Sequence, residues 1–181
     1  MPSPVYPALI ALAALAACSA PAAAPMRLGP DGRPVQVIYR IAERDVPRIQ
    51  LRLRDGLNTV RRQQGLAPVE FNIQLTSAAA THARDIAIQG RPWHFGSDGS
   101  SPVDRVQRVG YGGVFLGETL SETFETELET LTAWLEQRDT RAILLEPRVT
   151  EIGFAWHQEA NGKLWWVLTT GTTPDLPQGV N

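Results

Sequence analysis

The pattern of apolar and polar residues predicts four helices ahead of the last strands of the chain. In the first helix, from Asp45 to Gly65, apolar residues recur every three or four positions, which is the spacing of one helix face. The others run from Gln74 to Gln89, from Ser101 to Gly110, and from Ser121 onward. We expect the fourth helix to bury one apolar face, with acidic residues around the rest. That face is formed by Phe124, Leu128, Leu131 and Leu135.

Three further segments have the character of strands. Val35 to Ile41 alternates and is rich in β-branched residues. Glu151 to His157 and Leu164 to Thr170 are also predicted strands, and the Asn161-Gly162 pair between them favours a tight hairpin turn. Helices followed by a C-terminal antiparallel hairpin predict an α+β fold rather than a doubly wound parallel sheet.

Composition limits the number of domains and the kinds of partner. The chain has 181 residues, of which 43% are hydrophobic and 20% are charged, which is enough for one domain with a sizeable core. The formal net charge of -2 argues against a nucleic acid partner, because phosphate backbones attract basic surfaces. The one cysteine, Cys18, excludes an intramolecular disulfide. We expect a monomer whose core alone holds the fold.

The first residues have the pattern of an export signal. Pro7 to Ala17 is an uncharged apolar run, too short for the roughly 20 residues that span a bilayer. It is followed by Cys18, and the segment from Leu15 to Cys18 resembles the lipobox of bacterial lipoproteins. We therefore predict a lipoprotein signal peptide over residues 1–18 and lipidation of Cys18. No Lys or Arg precedes the apolar run, and an ordinary cleaved signal is the alternative.

The signal is followed by a stretch with little to bury. Residues 19–34 are rich in Ala and Pro, which predicts a disordered tether. The folded domain is predicted over residues 35–175, with a short tail over 176–181. In lipoproteins of this type, a serine such as Ser19 after the cysteine suggests the outer membrane.

A series of short motifs runs from Leu57 to Gly171. The ordered series resembles bacterial members of the CAP superfamily, which groups cysteine-rich secretory, antigen-5 and pathogenesis-related proteins. The resemblance covers about 115 residues and implies a three-layer α/β/α sandwich, the CAP or SCP domain. The motifs are Asn58 to Arg61, Gly65 to Pro68, His82-Ala83, His94, Asp104-Arg105, Gly110-Tyr111, Gly117-Glu118, Trp134, Arg141, Pro147, Glu151 to Gly153 and Trp165 to Val167.

The resemblance also implies a shallow cleft lined by two histidines and two acidic residues. His94 matches the first histidine, and Glu118 matches the glutamate of a Gly-Glu-Asn motif whose asparagine is Thr119 here. Gln137 stands where some relatives have the second acid, and Thr140 where they have the second histidine. The expected cleft is therefore His94, Glu118, Gln137 and Thr140.

In several relatives the residues of this cleft coordinate a divalent metal. A zinc site needs three or four imidazole, thiolate or carboxylate donors, and the hydroxyl of Thr140 and the amide of Gln137 replace them poorly. We therefore expect no cofactor, with weak binding of a divalent metal such as zinc by His94 and Glu118 as the alternative. Asp139, beside Thr140, is expected to cap a helix.

The histidines and serines allow more than one role. His94 either binds a ligand or ties its loop to Glu118, whereas His82 is expected to pack in the core and His157 to face solvent. Three serines near His94 suggest a nucleophile, but no Gly-x-Ser-x-Gly elbow is present. These are Ser97, Ser100 and Ser101.

The leading functional hypothesis is a non-enzymatic binding module of the cell envelope, lipid-anchored at the periplasmic face of the outer membrane. Its ligand would be a small apolar molecule, a peptide or a wall component. The aromatic residues Trp134, Trp156, Trp165 and Trp166 suggest either an apolar groove or core packing. The alternatives are a peptidase-like hydrolase that uses His94 and Glu118, and a structural protein with a vestigial cleft.

Overall fold

The computed structural model describes residues 26–28, 30–36 and 39–173. The chain divides into two units, residues 1–37 and 38–181. In the first unit, β1 (Met26–Leu28) pairs with β2 (Pro34–Gln36) in antiparallel fashion. Strand β1 lies within residues 19–34, for which we predicted a disordered tether, and β2 begins at the last residue of that stretch. The predicted signal peptide with Cys18, and the tail, lie outside the described residues.

The second unit contains five helices and four strands within the described residues. The helices are α1 (Val46–Gln63), α2 (Ile73–Gln89), α3 (Pro102–Arg108), α4 (Glu127–Glu136) and α5 (Arg138–Leu144). The strands are β3 (Glu70–Phe71), β4 (Val114–Glu122), β5 (Glu151–Gln158) and β6 (Leu164–Thr172). They form one sheet in the order β3-β5-β6-β4, in which only the β3–β5 pair is parallel. The predicted α+β fold and its C-terminal hairpin are confirmed.

Helices cover both faces of the sheet, because side chains alternate along the strands. In β6, Trp165 and Val167 face α2, where Ala79 and Ala83 pack against them. Trp166 and Leu168 face the other side, which is covered by α1, α4 and α5. The result is the expected three-layer α/β/α sandwich, with its apolar cores above and below the sheet.

Local capping signals fix several helix ends. The Asn72 side chain accepts hydrogen bonds from the backbone N–H groups of Gln74 and Leu75 at the start of α2. Gly90 ends that helix with φ +69°, a conformation that glycine adopts without strain. Ser101 and Asp104 form a reciprocal capping box at the start of α3.

The prediction of the fourth helix was partly wrong. Ser121 lies in β4, which pairs with β6 along most of its length, and helix α4 begins only at Glu127. Thr126 forms a capping box with Glu129 and so sets this later start. Phe124 and Leu128 are therefore exposed rather than part of a buried face.

Two other local predictions need correction. Where a strand was predicted over Val35 to Ile41, the structure describes β2 over Pro34–Gln36, and residues 39–42 have no regular structure. The N-cap of α5 is Gln137, which makes no side-chain cap hydrogen bond, and Asp139 lies in the first turn. There its charge still suits the positive end of the helix dipole.

Helix α2 lies very close to the sheet. A Cβ atom built on Gly153 of β5 would lie 2.1 Å from the backbone carbonyl carbon of Leu75, so no larger residue fits at this position. This close approach fixes the position of α2, which carries His82 and Asp85 toward the edge strand β4.

In the part of the chain that the structure describes, no helix has both the length and the apolar character needed to cross a bilayer.

Candidate functional site

A buried carboxylate, Glu118 of β4, lies at the centre of the candidate site. Its side chain is 2% exposed. The guanidinium of Arg105 donates from one nitrogen to both carboxylate oxygens at 3.0 Å, and His94 Nδ1 lies 3.0 Å from Oε1. His82 Nε2 lies 3.7 Å from the same oxygen. Glu118 thus joins α2, α3 and the loop that carries His94.

The backbone of this loop is held by three side chains in succession. The carbonyl oxygen of Trp93 lies 2.9 Å from His82 Nε2. The carbonyl of His94 accepts a hydrogen bond from Arg105 at 2.9 Å, and the carbonyl of Phe95 accepts one from the Gln89 amide, also at 2.9 Å. Because three consecutive carbonyls are bound, the conformation of residues 93–95 is fixed from beneath.

The side chains of the same three residues point outward. Trp93 is 44% exposed and Phe95 48%, and the side chain of His94 between them is 53% exposed. The two aromatic rings lie 5.9 Å apart, with the Arg91 guanidinium 4.8 Å from the centre of the Trp93 ring. We call residues 93–95 the aromatic platform. Large apolar groups held in the open are typical of a binding surface.

The two histidines next to Glu118 have opposite tautomers, inferred from their partners. A carbonyl oxygen only accepts, so His82 donates to Trp93 through Nε2–H and its Nδ1 carries the lone pair. A carboxylate accepts as well, so His94 donates through Nδ1–H and turns its Nε2 away from Glu118. Burial lowers the pKa of His82 and outweighs the opposite effect of Glu118.

The turn after the platform depends on two glycines, Gly96 and Gly99. Gly99 adopts φ +81°, and its N–H donates to the carbonyl of Gly96. The N–H of Gly96 donates to the carbonyl of Ser100. A Cβ atom on Gly96 would come within 2.6 Å of Asp98 Oδ1 and Ser100 Oγ. Only glycine therefore fits at position 96.

The serines near His94 are engaged elsewhere. The Ser97 hydroxyl donates to Asp85 at 2.5 Å, and the Ser101 hydroxyl bonds to Asp104 in the capping box. Ser100 is buried. None of these hydroxyls bonds to His94, so no activated nucleophile of the serine–histidine kind is formed among the described residues.

The structure does not join Gln137 and Thr140 to the other two predicted cleft residues. The Thr140 hydroxyl donates to the carbonyl of Trp134 at 2.5 Å, at the junction of α4 and α5. Helix α5 packs through Ile143 against the face of β4 to which Gly117 belongs, because a Cβ atom on Gly117 would meet the Ile143 side chain. Because neighbouring strand residues point to opposite faces, Glu118 faces the α2–α3 layer instead.

The donor set does not fit a divalent metal of the kind that relatives bind. Both oxygens of Glu118 already accept hydrogen bonds from Arg105, and His94 Nδ1 is turned toward the same carboxylate. Only His94 Nε2 remains as a ligand there, whereas zinc needs three or four. Within residues 39–173 no group of three or more His, Cys, Asp or Glu side chains is arranged to hold a metal.

The tryptophans, for which the sequence allowed either an apolar groove or core packing, are mostly core residues. Trp134, Trp165 and Trp166 are each at most 1% exposed, and Trp156 packs half-buried against the same core. Trp93 and Phe95 are the two most exposed aromatic residues in the part of the chain that the structure describes. His157 is half-buried rather than solvent-facing.

A three-layer α/β/α sandwich is the architecture that the sequence resemblance implied. The model of the CAP family, described as the cysteine-rich secretory protein family, matches residues 54–169. The chain therefore belongs to the CAP family. It is 26% identical over 108 residues to YkwD of Bacillus subtilis (strain 168), which covers 60% of this chain but only 41% of that protein.

Solved structures show the same fold. An outer surface protein of Borrelia burgdorferi superposes with a TM-score of 0.63 and 18% identity, over 71% of this chain and 96% of that one. An extracellular SCP-domain protein of Bacillus anthracis gives a TM-score of 0.65 and 18% identity, over 74% and 45% of the two chains. At these identities the likeness establishes the fold alone.

Three residues important to the site were not predicted for it. Arg105 was recognised only as part of a family motif, and Gln89 and Asp85 were not singled out. A signal was available for Asp85 and Gln89, which lie three and seven residues after His82 and so share its helix face.

Proposed function

We propose that this protein is a lipoprotein of the cell envelope whose CAP domain is a non-enzymatic binding module. Its ligand site is the aromatic platform, residues 93–95, and its ligand is an apolar group that also offers a hydrogen-bond donor to His94. A small apolar molecule, a peptide or a wall component can carry such a group. The family membership is consistent with a binding module.

One observation carries the proposal: exposed aromatic side chains stand on a backbone whose consecutive carbonyls are all bound from below. A loop that is already ordered loses little conformational entropy when a ligand binds. The rings of Trp93 and Phe95 supply apolar area, and His94 Nε2 supplies one directional acceptor. This combination favours recognition of a ligand rather than a role in folding.

The anchoring part of the proposal rests on the sequence of residues 1–18. Acylation of Cys18 by more than one chain would give stable membrane attachment, at about 0.8 kcal/mol per buried methylene. Placement at the periplasmic face of the outer membrane follows from Ser19. Expression of the full chain and of Cys18→Ser in a diderm bacterium, followed by fractionation, tests it. Membrane recovery of the wild type and release of the variant are expected, and equal distribution would contradict the proposal.

The binding site is tested with a double variant, Trp93→Ala/Phe95→Ala. The probes are immobilised peptides that contain Leu or Phe, palmitate, and soluble muropeptides, and each is tested against the wild type and the variant. We expect any probe bound by the wild-type chain to lose at least tenfold in affinity, about 1.4 kcal/mol. Ile88→Ala, at a position 82% exposed on α2, removes apolar surface elsewhere and is the matched control.

The binding test has two opposite outcomes. Binding that disappears in the double variant and survives in Ile88→Ala supports the proposal. A probe that binds the double variant as tightly as the wild type contradicts the assignment to the platform. Circular dichroism of both variants checks that the fold is retained.

A hydrolase is a second candidate, because Glu118 orients the imidazole of His94 with Nε2 free, as carboxylates orient catalytic histidines. Against it, no nucleophilic hydroxyl bonds to that nitrogen. Turnover of a peptide or glycan substrate that disappears in His94→Ala and is retained in Ile88→Ala would establish the hydrolase. Absence of turnover of every peptide and glycan substrate tested would contradict the hydrolase and favour the binding module.

A further inference from the structure

A second cavity, separate from the aromatic platform, opens between α2, α3 and the turn at residues 97–100. Its volume is about 400 Å³. Ala78, His82 and Arg105 form its buried wall, and Thr81 and Arg108 lie at its exposed rim. His94 and Glu118 do not line it. The proposed platform site therefore does not account for this cavity.

Two hydrogen-bond acceptors lie close together on residues that line this cavity. His82 Nδ1 is fully buried, carries a lone pair because Nε2–H is used by Trp93, and has no hydrogen-bond partner among the described residues. Asp85 Oδ2 lies 4.0 Å from it. A buried acceptor without a donor is unfavourable, so a bound donor at this point would be stabilised.

The charge around these acceptors favours a cation. Asp85 accepts hydrogen bonds only from neutral donors. Its Oδ2 accepts from the Ser97 backbone N–H and the Gln89 amide, and its Oδ1 accepts from the Ser97 hydroxyl. The two arginines that line the cavity are paired elsewhere, Arg105 with Glu118 and Arg108 with Asp98. Partial burial acts to raise the pKa of Asp85, but the hydrogen bonds from Ser97 and Gln89 have the larger, opposite effect. The pKa of Asp85 is therefore lowered, and its carboxyl group is ionised. Its negative charge has no cationic partner among the lining residues.

We propose that this cavity binds the primary ammonium group of a lysine side chain, with its nitrogen hydrogen-bonded to His82 Nδ1 and in ion-pair contact with Asp85 Oδ2. A nitrogen about 2.9 Å from each atom spans acceptors 4.0 Å apart, and an ammonium group has three donors to offer. The ligands of tetrahedral zinc stand closer, at about 3.3 Å from one another. A hydroxyl would satisfy His82 but would leave the charge of Asp85 unbalanced.

The rest of the cavity suits an alkyl chain attached to that nitrogen. Ala78 and Val109 give the wall an apolar part, against which the methylene groups of a lysine can pack. The hydroxyls of Thr81 and Ser97 at the rim can bond to the peptide backbone beyond the side chain. The partner we infer is therefore a lysine-bearing peptide.

The test is an NMR titration of the full chain in detergent with Nα-acetyl-lysine amide. Nα-acetyl-norleucine amide is the neutral twin with the same alkyl chain, and glucosamine is an ammonium on a sugar ring. We expect binding of the lysine derivative with a dissociation constant on the order of 1 mM, and at least tenfold weaker binding of the twin. The shifted amide signals should include Asp85 and Ser97.

Three variants locate the site. Asp85→Asn should weaken binding of the lysine derivative at least tenfold. Asp98→Asn removes a carboxylate that is already paired with Arg108 at the rim, and should change the affinity by no more than about twofold because solvent screens it. Ile88→Ala, outside both the cavity and the platform, should change nothing. The platform is tested with other probes and with the Trp93→Ala/Phe95→Ala variant, so failure here and failure of the platform proposal are distinguishable.

Several results would overturn the inference. These are equal binding of the norleucine twin, tighter binding of glucosamine, and unchanged affinity in a folded Asp85→Asn. If Asp85→Asn does not fold, the wild-type titration decides alone, because shifts confined to residues outside α2, α3 and the 97–100 turn would contradict the site. Absence of binding by any amine would do so too.

Discussion

Two histidines lie beside the same carboxylate and have different environments. His82 is fully buried on α2, whereas the side chain of His94 is 53% exposed on the aromatic platform. Glu118 lies 3.0 Å from His94 and 3.7 Å from His82. A shared carboxylate therefore does not give two histidines the same role. Burial and the second hydrogen-bond partner decide which ring nitrogen is left free, and toward which space it points.

The largest expected effect comes from removing the carboxylate that the two regions share. Glu118→Ala leaves Arg105, which is 6% exposed, buried without its counter-charge. We expect the free energy of unfolding to fall by about 3–5 kcal/mol, measured by urea denaturation. Asp98→Ala, which breaks the exposed pair with Arg108, is the control and should have a much smaller effect. Equal losses would show that Glu118 does not hold the site together.

The next effect separates the two histidines. His82→Ala opens a cavity under the platform and removes the donor to Trp93, so we expect a loss of about 2–4 kcal/mol in the free energy of unfolding. His94→Ala removes an exposed ring and should change it by less than about 1 kcal/mol. The reverse order would mean that the exposed histidine is the structural one.

A smaller effect is the pH dependence of stability. Burial lowers the pKa of His82, so below about pH 6.5 the unfolded chain binds a proton there that the folded chain does not. The free energy of unfolding should therefore fall as the pH is lowered from that value to the folded pKa. His82→Gln, which keeps an N–H donor for Trp93, should lack this slope, and an unchanged slope would contradict the assignment.

Carboxylates act in a different pH window. Hydrogen bonds from Ser97 and Gln89 outweigh partial burial and lower the pKa of Asp85, so its stabilising contribution is lost only at more acidic pH, below about 4. The histidine slope can thus be measured between about pH 5 and 6.5 without overlap.

The smallest expected effect concerns metal. Thr140 belongs to α5, whose Ile143 packs on the other face of β4 from Glu118, and its hydroxyl bonds to the carbonyl of Trp134. We therefore expect that Thr140→His does not complete a zinc site with His94. Calorimetry should show no tight zinc binding for the wild type or the variant. Tight binding by the variant alone would mean that α5 contributes to the same cleft after all.

The sequence was enough for the layers of the fold, and for the contact of His94 with Glu118. Helix caps such as Ser101 with Asp104 are local, so they can be read from spacing, and the Asn161-Gly162 turn is equally local. Strand β4 was missed because its pairing with β6 involves residues far away in the chain. As a result, the start of the fourth helix was predicted at Ser121, six residues before α4 begins at Glu127.

The rest of the site depends on which face each residue occupies. The family resemblance aligned Thr140 with a cleft histidine, but alignment does not show that consecutive residues Gly117 and Glu118 face different layers. The hydrogen bonds beneath the platform could not be predicted either. Arg105 and Gln89 donate to backbone carbonyls, which every residue type has, so the sequence does not indicate these partners. Geometry, rather than composition, joins these residues.

The difference between the two histidines can be measured directly by long-range ¹H–¹⁵N NMR of their imidazole rings at mildly alkaline pH. The chain has only three histidines, so the signals can be assigned by substitution. We expect His82 to carry its proton on Nε2 and His94 to carry its proton on Nδ1. The same tautomer at both positions would contradict the hydrogen bonding that fixes the platform and leaves His82 Nδ1 free.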